Sequence, residues 1–137
     1  MTATHSDGLL ALGFRCDPQR RTVLGERRQR FPLRTTVPLY LDGVDTGMAF
    51  VYVQNPTGGV FAGDALDLRV AVGPGARVHV TTQSATKVYR MDGGHAVQDL
   101  RFSVSEGAYL EYLPDALIPQ AGADFAQTTQ VDLEHGA

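Results

Sequence analysis

A short motif, apolar-x-apolar-x-x-Gly-Ala, recurs along the chain and constrains its fold more than any other feature. Val70, Val72, Gly75 and Ala76 return 32 positions later as Phe102, Val104, Gly107 and Ala108. They return again, a further 29 positions on, as Val131, Leu133, Gly136 and Ala137. Each copy reads as strand, tight turn, strand. Glycine reaches turn conformations that a Cβ disfavours, and alanine lets neighbouring backbones approach closely. Similar strands at this spacing predict rungs that stack, giving a mainly β, solenoid-like architecture of two sheets. The alternative is chance similarity between β-hairpins. The third copy stops at Gly136-Ala137, where a further strand would start. A stack ended there exposes an unpaired edge. The expectation is therefore a single β-rich domain over 1–137 that forms the N-terminal part of a longer fold.

Local patterning agrees with strands. Leu66 to Val72, Arg77 to Val80 and Leu100 to Val104 alternate with period two, the signature of half-buried strands. Gly73-Pro74-Gly75, Asp92-Gly93-Gly94 and Ser105-Glu106-Gly107 supply turns between them. Thr36 to Val53 reads as strands with a hairpin signal at Asp42-Gly43. No long helix is expected, and Leu117 to Gln127 is the one segment with room for a short one.

Composition narrows the class. Of 137 residues, 43% are hydrophobic and 20% charged, which suits a globular chain rather than a disordered one. The lone Cys16 has no intrachain disulfide partner. No run approaches the roughly 18 apolar residues of a membrane span, and Met1 to Asp7 lacks the plan of a signal peptide. Those features predict a cytoplasmic protein without a membrane partner. Charge is uneven. Residues 1–36 carry seven arginines against Asp7, Asp17 and Glu26, a net +4, so the remainder sums to −7. The stripe lacks the interleaved aromatics of a nucleic-acid binder and is read as a solvated or partner-facing surface.

Three segments carry candidate chemistry. Asn55-Pro56-Thr57-Gly58-Gly59-Val60-Phe61-Ala62-Gly63-Asp64 is a Gly-rich loop. It lacks the Gly-Lys-Ser/Thr ending of a phosphate-binding loop, and the Asp64 carboxylate would repel phosphate. Asp64 is expected to bond to its own turn or to serve a partner contact or an ion path. Thr81-Thr82-Gln83-Ser84-Ala85-Thr86-Lys87-Val88-Tyr89 is a polar run beyond a strand. It either lines something wet or forms an exposed edge. Leu110-Glu111-Tyr112-Leu113-Pro114-Asp115 places two carboxylates four apart, suited to acid–base work or to a hard or borderline cation. His79 and Glu111 lie 32 apart and so occupy equivalent rung positions. Direct stacking would put their backbones ~4.8 Å apart, as a solvent-facing cross-strand pair or as a site for a transient divalent cation or a proton. His5, His95 and His135 are scattered. No closed Cys/His metal site or Gly-x-Ser-x-Gly nucleophile motif occurs.

These segments resemble the UreD (UreH) family of urease accessory proteins. Asn-Pro-x-Gly-Gly-x-x-x-Gly-Asp (55–64), Thr-Thr-Gln-x-Ala-Thr-Lys-Val-Tyr (81–89) and Gly-Ala-x-Leu-Glu-Tyr-Leu-Pro-Asp (107–115) stand in the family's order, and Pro32-Leu33-Arg34 fits upstream. The resemblance covers the chain from about Gly8 onward. It implies a β-rich, non-enzymatic scaffold with no tightly bound cofactor. The family binds apo-urease and UreF, recruits the GTPase UreG through UreF, and helps Ni²⁺ from the donor UreE reach the urease site through a polar internal passage. Members are longer than this chain. A passage must release its ion, so dispersed oxygen donors suit it better than a Cys/His cage. Asp64, Glu111, Asp115 and His79 are the candidate nickel contacts. Thr81, Thr82, Gln83, Lys87 and Tyr89 are candidates for the polar passage, with Lys87 expected to pair with Asp64 or Asp115. Asn55, Pro56, Gly58, Gly59 and Gly63 build the turn. Two other readings remain: a β-solenoid binding module with no metal role, and a small hydrolase or lyase using Asp64, Glu111 or Asp115.

Overall fold

The computed structural model describes residues 6–42 and 46–137, and the described part is built from strands and turns. The strands are β1 (Asp7–Cys16), β2 (Thr22–Arg30), β3 (Arg34–Thr35), β4 (Ala49–Gln54), β5 (Ala65–Val72), β6 (Arg77–Thr82), β7 (Thr86–Val88), β8 (Ala96–Val104), β9 (Tyr109–Tyr112), β10 (Leu117–Pro119) and β11 (Phe125–Leu133). A five-stranded sheet runs β11-β8-β5-β1-β2, and a four-stranded sheet runs β3-β4-β6-β9. β10 and β7 form a small third pair. Val60 bridges in parallel to Val88, which brings the Gly-rich loop onto that third side.

The repeat is a stack of parallel rungs. Val70 pairs with Phe102 and Val72 with Val104 across β5 and β8. Val131 then pairs with Phe102 and Leu133 with Val104 across β11 and β8. The four-stranded sheet follows the same rule, with β4, β6 and β9 parallel and in order. The turns stack too. Gly75, Gly107 and Gly136 all hold a positive φ of 70–81°, and the Gly107 N–H donates to the Gly136 carbonyl at 3.1 Å. Space is short after the first two turns, where Ala76 and Ala108 are both buried; Ala137, after the third, is exposed. The two sheets are not uniform coils. Each is closed at one edge by an antiparallel strand, β2 on β1 and β3 on β4.

Period-two alternation decides which side chains enter the core. Leu66, Leu68, Val70 and Val72 point inward from β5, while Asp67, Arg69 and Ala71 face out. Val51, Val78 and Val80 meet them from the other sheet in one cluster of buried residues. Purely parallel sheets are usually covered on both faces and read as continuous apolar runs. Here the outer faces are polar, and alternation survives. Thr22 is a polar residue buried between the sheets. It is 1% exposed, and its Oγ1 accepts the Arg77 N–H at 2.8 Å. Its carbonyl accepts the Tyr40 hydroxyl at 2.7 Å. This one threonine ties the five-stranded sheet to the four-stranded one. Thr22→Val keeps the shape and strands the Arg77 N–H, so it should destabilise the fold by about 1–2 kcal/mol, measurable by urea unfolding.

Two expectations need correction. The segment Leu117 to Gln127 holds no helix. Leu117–Pro119 pairs in parallel with Thr86–Val88, Gly122 turns at φ +85°, and Phe125 opens β11. Pro119 and Gly122 are both poor in a helix interior, and a free sheet edge offered their neighbours an alternative. The hairpin expected in Thr36 to Val53 is reduced to an antiparallel bridge, Leu39 to Phe50. Asp42 lies in a turn, whereas Gly43 falls outside the described residues. So do His5 and most of the N-terminal segment. Among the described residues no helix is long and apolar enough to cross a membrane.

Candidate functional site

A cleft of about 220 Å³ opens where strands of the four-stranded sheet end and those of the five-stranded sheet begin. All three motif segments reach it. Asn55, Gly58 and Gly59 come from the Gly-rich loop, Thr82 to Thr86 from the polar run, and Tyr112, Pro114 and Asp115 from the third motif. Its floor is the inner face of β5, β8 and β11, and that floor changes from rung to rung. Leu66 stacks on Gln98, which stacks on Gln127; Leu68 stacks on Leu100, which stacks on Thr129. The apolar pair on β5 thus gives way to a glutamine ladder, Gln127 Nε2 donating to Gln98 Oε1 at 2.9 Å.

The Gly-rich loop is a braced turn. Asn55 Oδ1 accepts the Thr57 hydroxyl at 2.6 Å and the Thr57 N–H at 3.1 Å. Gly59 passes so close to the next rung that a Cβ there would meet the Lys87 carbonyl at 2.5 Å. That approach lets the Val60 N–H donate to the Lys87 carbonyl at 2.8 Å. Phe61 stacks on Tyr89 with ring centroids 4.8 Å apart, and the Tyr89 hydroxyl donates to the Gly58 carbonyl at 3.3 Å. Gly58 and Gly63 each turn at φ +86°, while Pro56, just ahead of them, is exposed. Asp64 closes the loop. It is 4% exposed, with Oδ2 accepting the Phe61 N–H at 2.9 Å and Oδ1 the Ser6 N–H at 3.1 Å. It lies outside the cleft lining.

The third motif is strapped to the polar run by hydroxyls. Thr81 Oγ1 donates to the Leu113 carbonyl at 2.7 Å, and Thr82 Oγ1 accepts the Asp115 N–H at 2.9 Å. The Asp115 carboxylate stays exposed at the cleft rim. Lys87 is exposed and pairs with neither Asp64 nor Asp115, contrary to expectation: no ion pair of Lys87 occurs among the described residues. Its strand turns the side chain outward, and Asp64 is committed to backbone donors.

His79 and Glu111 are direct neighbours on β6 and β9, with Nδ1 3.3 Å from Oε2. Val78 and Val80 occupy the core, so this pair sits on the outer face, away from the cleft. Phe50 leans on the His79 ring at 5.0 Å. Tyr109 donates to Glu111 Oε1 at 3.1 Å. That hydrogen bond raises the Tyr109 phenol above its ordinary pKa, and burial does the same for Tyr112. Asp64, Glu111, Asp115 and His79 are therefore not one site. Among the described residues no group of three or more His, Cys, Asp or Glu side chains converges.

Sequence reasoning passed over Gln98, Gln127 and Thr129. The signal was present: Gln98 interrupts the inward series Ala96, Leu100, Phe102, Val104 with an amide. Amides in an otherwise apolar alternation mark the point where the inner face meets water.

The chain is a stacked-β protein whose three sequence motifs meet at one polar cleft. The comparisons then name the family. The model of the UreD urease accessory protein family matches residues 6–137, and the chain belongs to that family. It is 42% identical over 137 residues to the urease accessory protein UreD of Mycolicibacterium gilvum, covering 99% of this chain and 50% of that one. It is 43% identical over 117 residues to UreD 2 of Streptomyces griseus, covering 85% of this chain and 40% of the relative. Against the UreD of Cenarchaeum symbiosum the identity is 35% over 117 residues, with 85% and 41% covered. The chain spans half or less of the length of these curated relatives.

Proposed function

We propose that the chain is a non-enzymatic scaffold of urease maturation in the cytoplasm, and that its inter-sheet cleft forms part of the passage by which Ni²⁺ reaches apo-urease. The convergence of all three family motifs on that cleft carries the reading. Its chemistry supports it. The lining offers hydroxyl and amide oxygens from Thr82, Gln83, Ser84 and Gln98, with one carboxylate, Asp115, at the rim. Neutral oxygen donors spread along a wall hold a borderline divalent cation weakly and at several positions, which suits transfer rather than storage. The nickel is cargo, and no resident cofactor enters. In this reading UreF and UreG, with UreE as nickel donor, complete the assembly, and the chemistry of urea belongs to urease. His79 and Glu111 sit on the outer face as a cross-strand pair rather than in the passage.

The test is urease activation in cells lacking their own UreD and supplied with this chain. At limiting nickel, Thr82→Val together with Asp115→Ala should slow activation severalfold, and excess nickel should restore it. Activation unchanged by the double substitution would sink the passage. No activation by the unsubstituted chain, beside an active Mycolicibacterium gilvum relative, would sink the maturation role for this chain.

A further inference from the structure

The basic stripe has a definite place in the fold. Residues 15–34 hold seven of the chain's arginines and only Asp17 and Glu26 as acids. Three of them, Arg27, Arg28 and Arg30, stand on β2, the terminal strand of the five-stranded sheet, whose outward backbone edge pairs with no other strand among the described residues. A β-bulge interrupts the β1–β2 ladder where Gly13 gives way to Phe14, opposite Glu26 and Leu24. Beyond it, Leu9 to Gly13 pair without a break with Arg30 to Glu26. Glu26 to Arg30 is therefore a regular, exposed edge of five residues, about 17 Å long at the usual rise per residue.

We infer that this edge accepts an extended acidic segment of apo-urease as an added strand. The inference rests on the maturation role proposed above. Free N–H and C=O groups make any sheet edge a template for pairing, and charge decides which strands are admitted. A second copy of β2 would bring a segment of the same net charge, +2 over Glu26 to Arg30, to the new ladder, which is unfavourable. An acidic strand meets the opposite sign. Arg28 and Arg30 lie on one face of β2 and Arg27 on the other, because neighbouring side chains alternate. The fitting partner thus carries acids at consecutive positions rather than at every second one. The arginines are available. Arg27 forms no ion pair among the described residues, and Arg28 makes only a long, exposed contact to Glu26 at 3.7 Å. Arg30 also contacts the Asp7 carbonyl. The other end of the same sheet is built differently: β11 carries Gln, Thr and a single acid, Asp132, along its exposed length, with no cluster of charge to select a partner.

The experiment measures binding of the chain to apo-urease at low and high salt, with amide hydrogen exchange on the free and bound chain. Arg27→Glu with Arg28→Glu should weaken binding at least about tenfold at low salt. Arg27→Gln with Arg28→Gln should lie between, and both variants should melt like the parent, since these side chains are exposed. Residues 26–30 should gain exchange protection on binding. Equal binding by parent and charge-reversed chain would overturn the edge as the contact. Weakened binding without added protection at 26–30 would overturn strand addition. Absence of any binding by the parent chain would instead fail the maturation reading, and this inference with it.

Discussion

Replacing Asp64 with alanine should lower the free energy of unfolding by about 2–4 kcal/mol. The carboxylate is 4% exposed and holds two backbone donors at once, the Phe61 N–H at 2.9 Å and the Ser6 N–H at 3.1 Å. Bonds to an ionised acceptor are stronger than neutral ones, and removing the acceptor leaves both donors without a partner. The damage extends beyond the loop. Asp64 is also joined through its own carbonyl to the Val97 N–H at 2.9 Å, so the turn that it closes sets where β5 begins against β8. Asp64→Asn retains one acceptor oxygen and should cost about half as much. Urea unfolding followed by circular dichroism measures both. An alanine variant as stable as the parent would show that the loop needs no internal cap.

That result bears on how much of this protein can be read from its residues. The rung arithmetic was legible because apolar spacing and turn glycines report the backbone directly. Equal offsets placed His79 beside Glu111, and the two stand in direct register. What the spacing did not contain was the use to which each polar group is put. Asp64 and Asp115 are the same residue type in comparable turn-rich surroundings. One is buried beneath two N–H groups, and the other is exposed at the rim of a cleft. The difference arises from which backbone donors the fold points at them, and that is a tertiary fact. Lys87 failed as an ion-pair partner for the same reason. A cation gains little by reaching for a carboxylate that is already satisfied. Leu117 to Gln127 holds no helix because the free edge of β7 recruits Leu117 to Pro119 as a strand, a tertiary contact that local sequence does not carry.

Equivalent repeat positions should nevertheless differ widely in energetic weight, and Phe102 against Val131 is the sharpest case. They occupy one register position on adjacent strands. Phe102 is 4% exposed, lies between Val70 and Val131 in the sheet, and meets Tyr112 with ring centroids 5.0 Å apart. Val131 is 52% exposed, because among the described residues no strand of the four-stranded sheet lies beyond β9 to cover it. Phe102→Ala should therefore cost about 3–5 kcal/mol through lost apolar burial and the cavity left behind, or roughly 10–20 °C in melting temperature. Val131→Ala should stay within about 0.5 kcal/mol, as for an ordinary surface change. If the two substitutions prove equally costly in this chain, β11 is covered in solution by something packed on its inner face. If Phe102→Ala is mild, the parallel stack from which the repeat derives its meaning does not hold the sheets together.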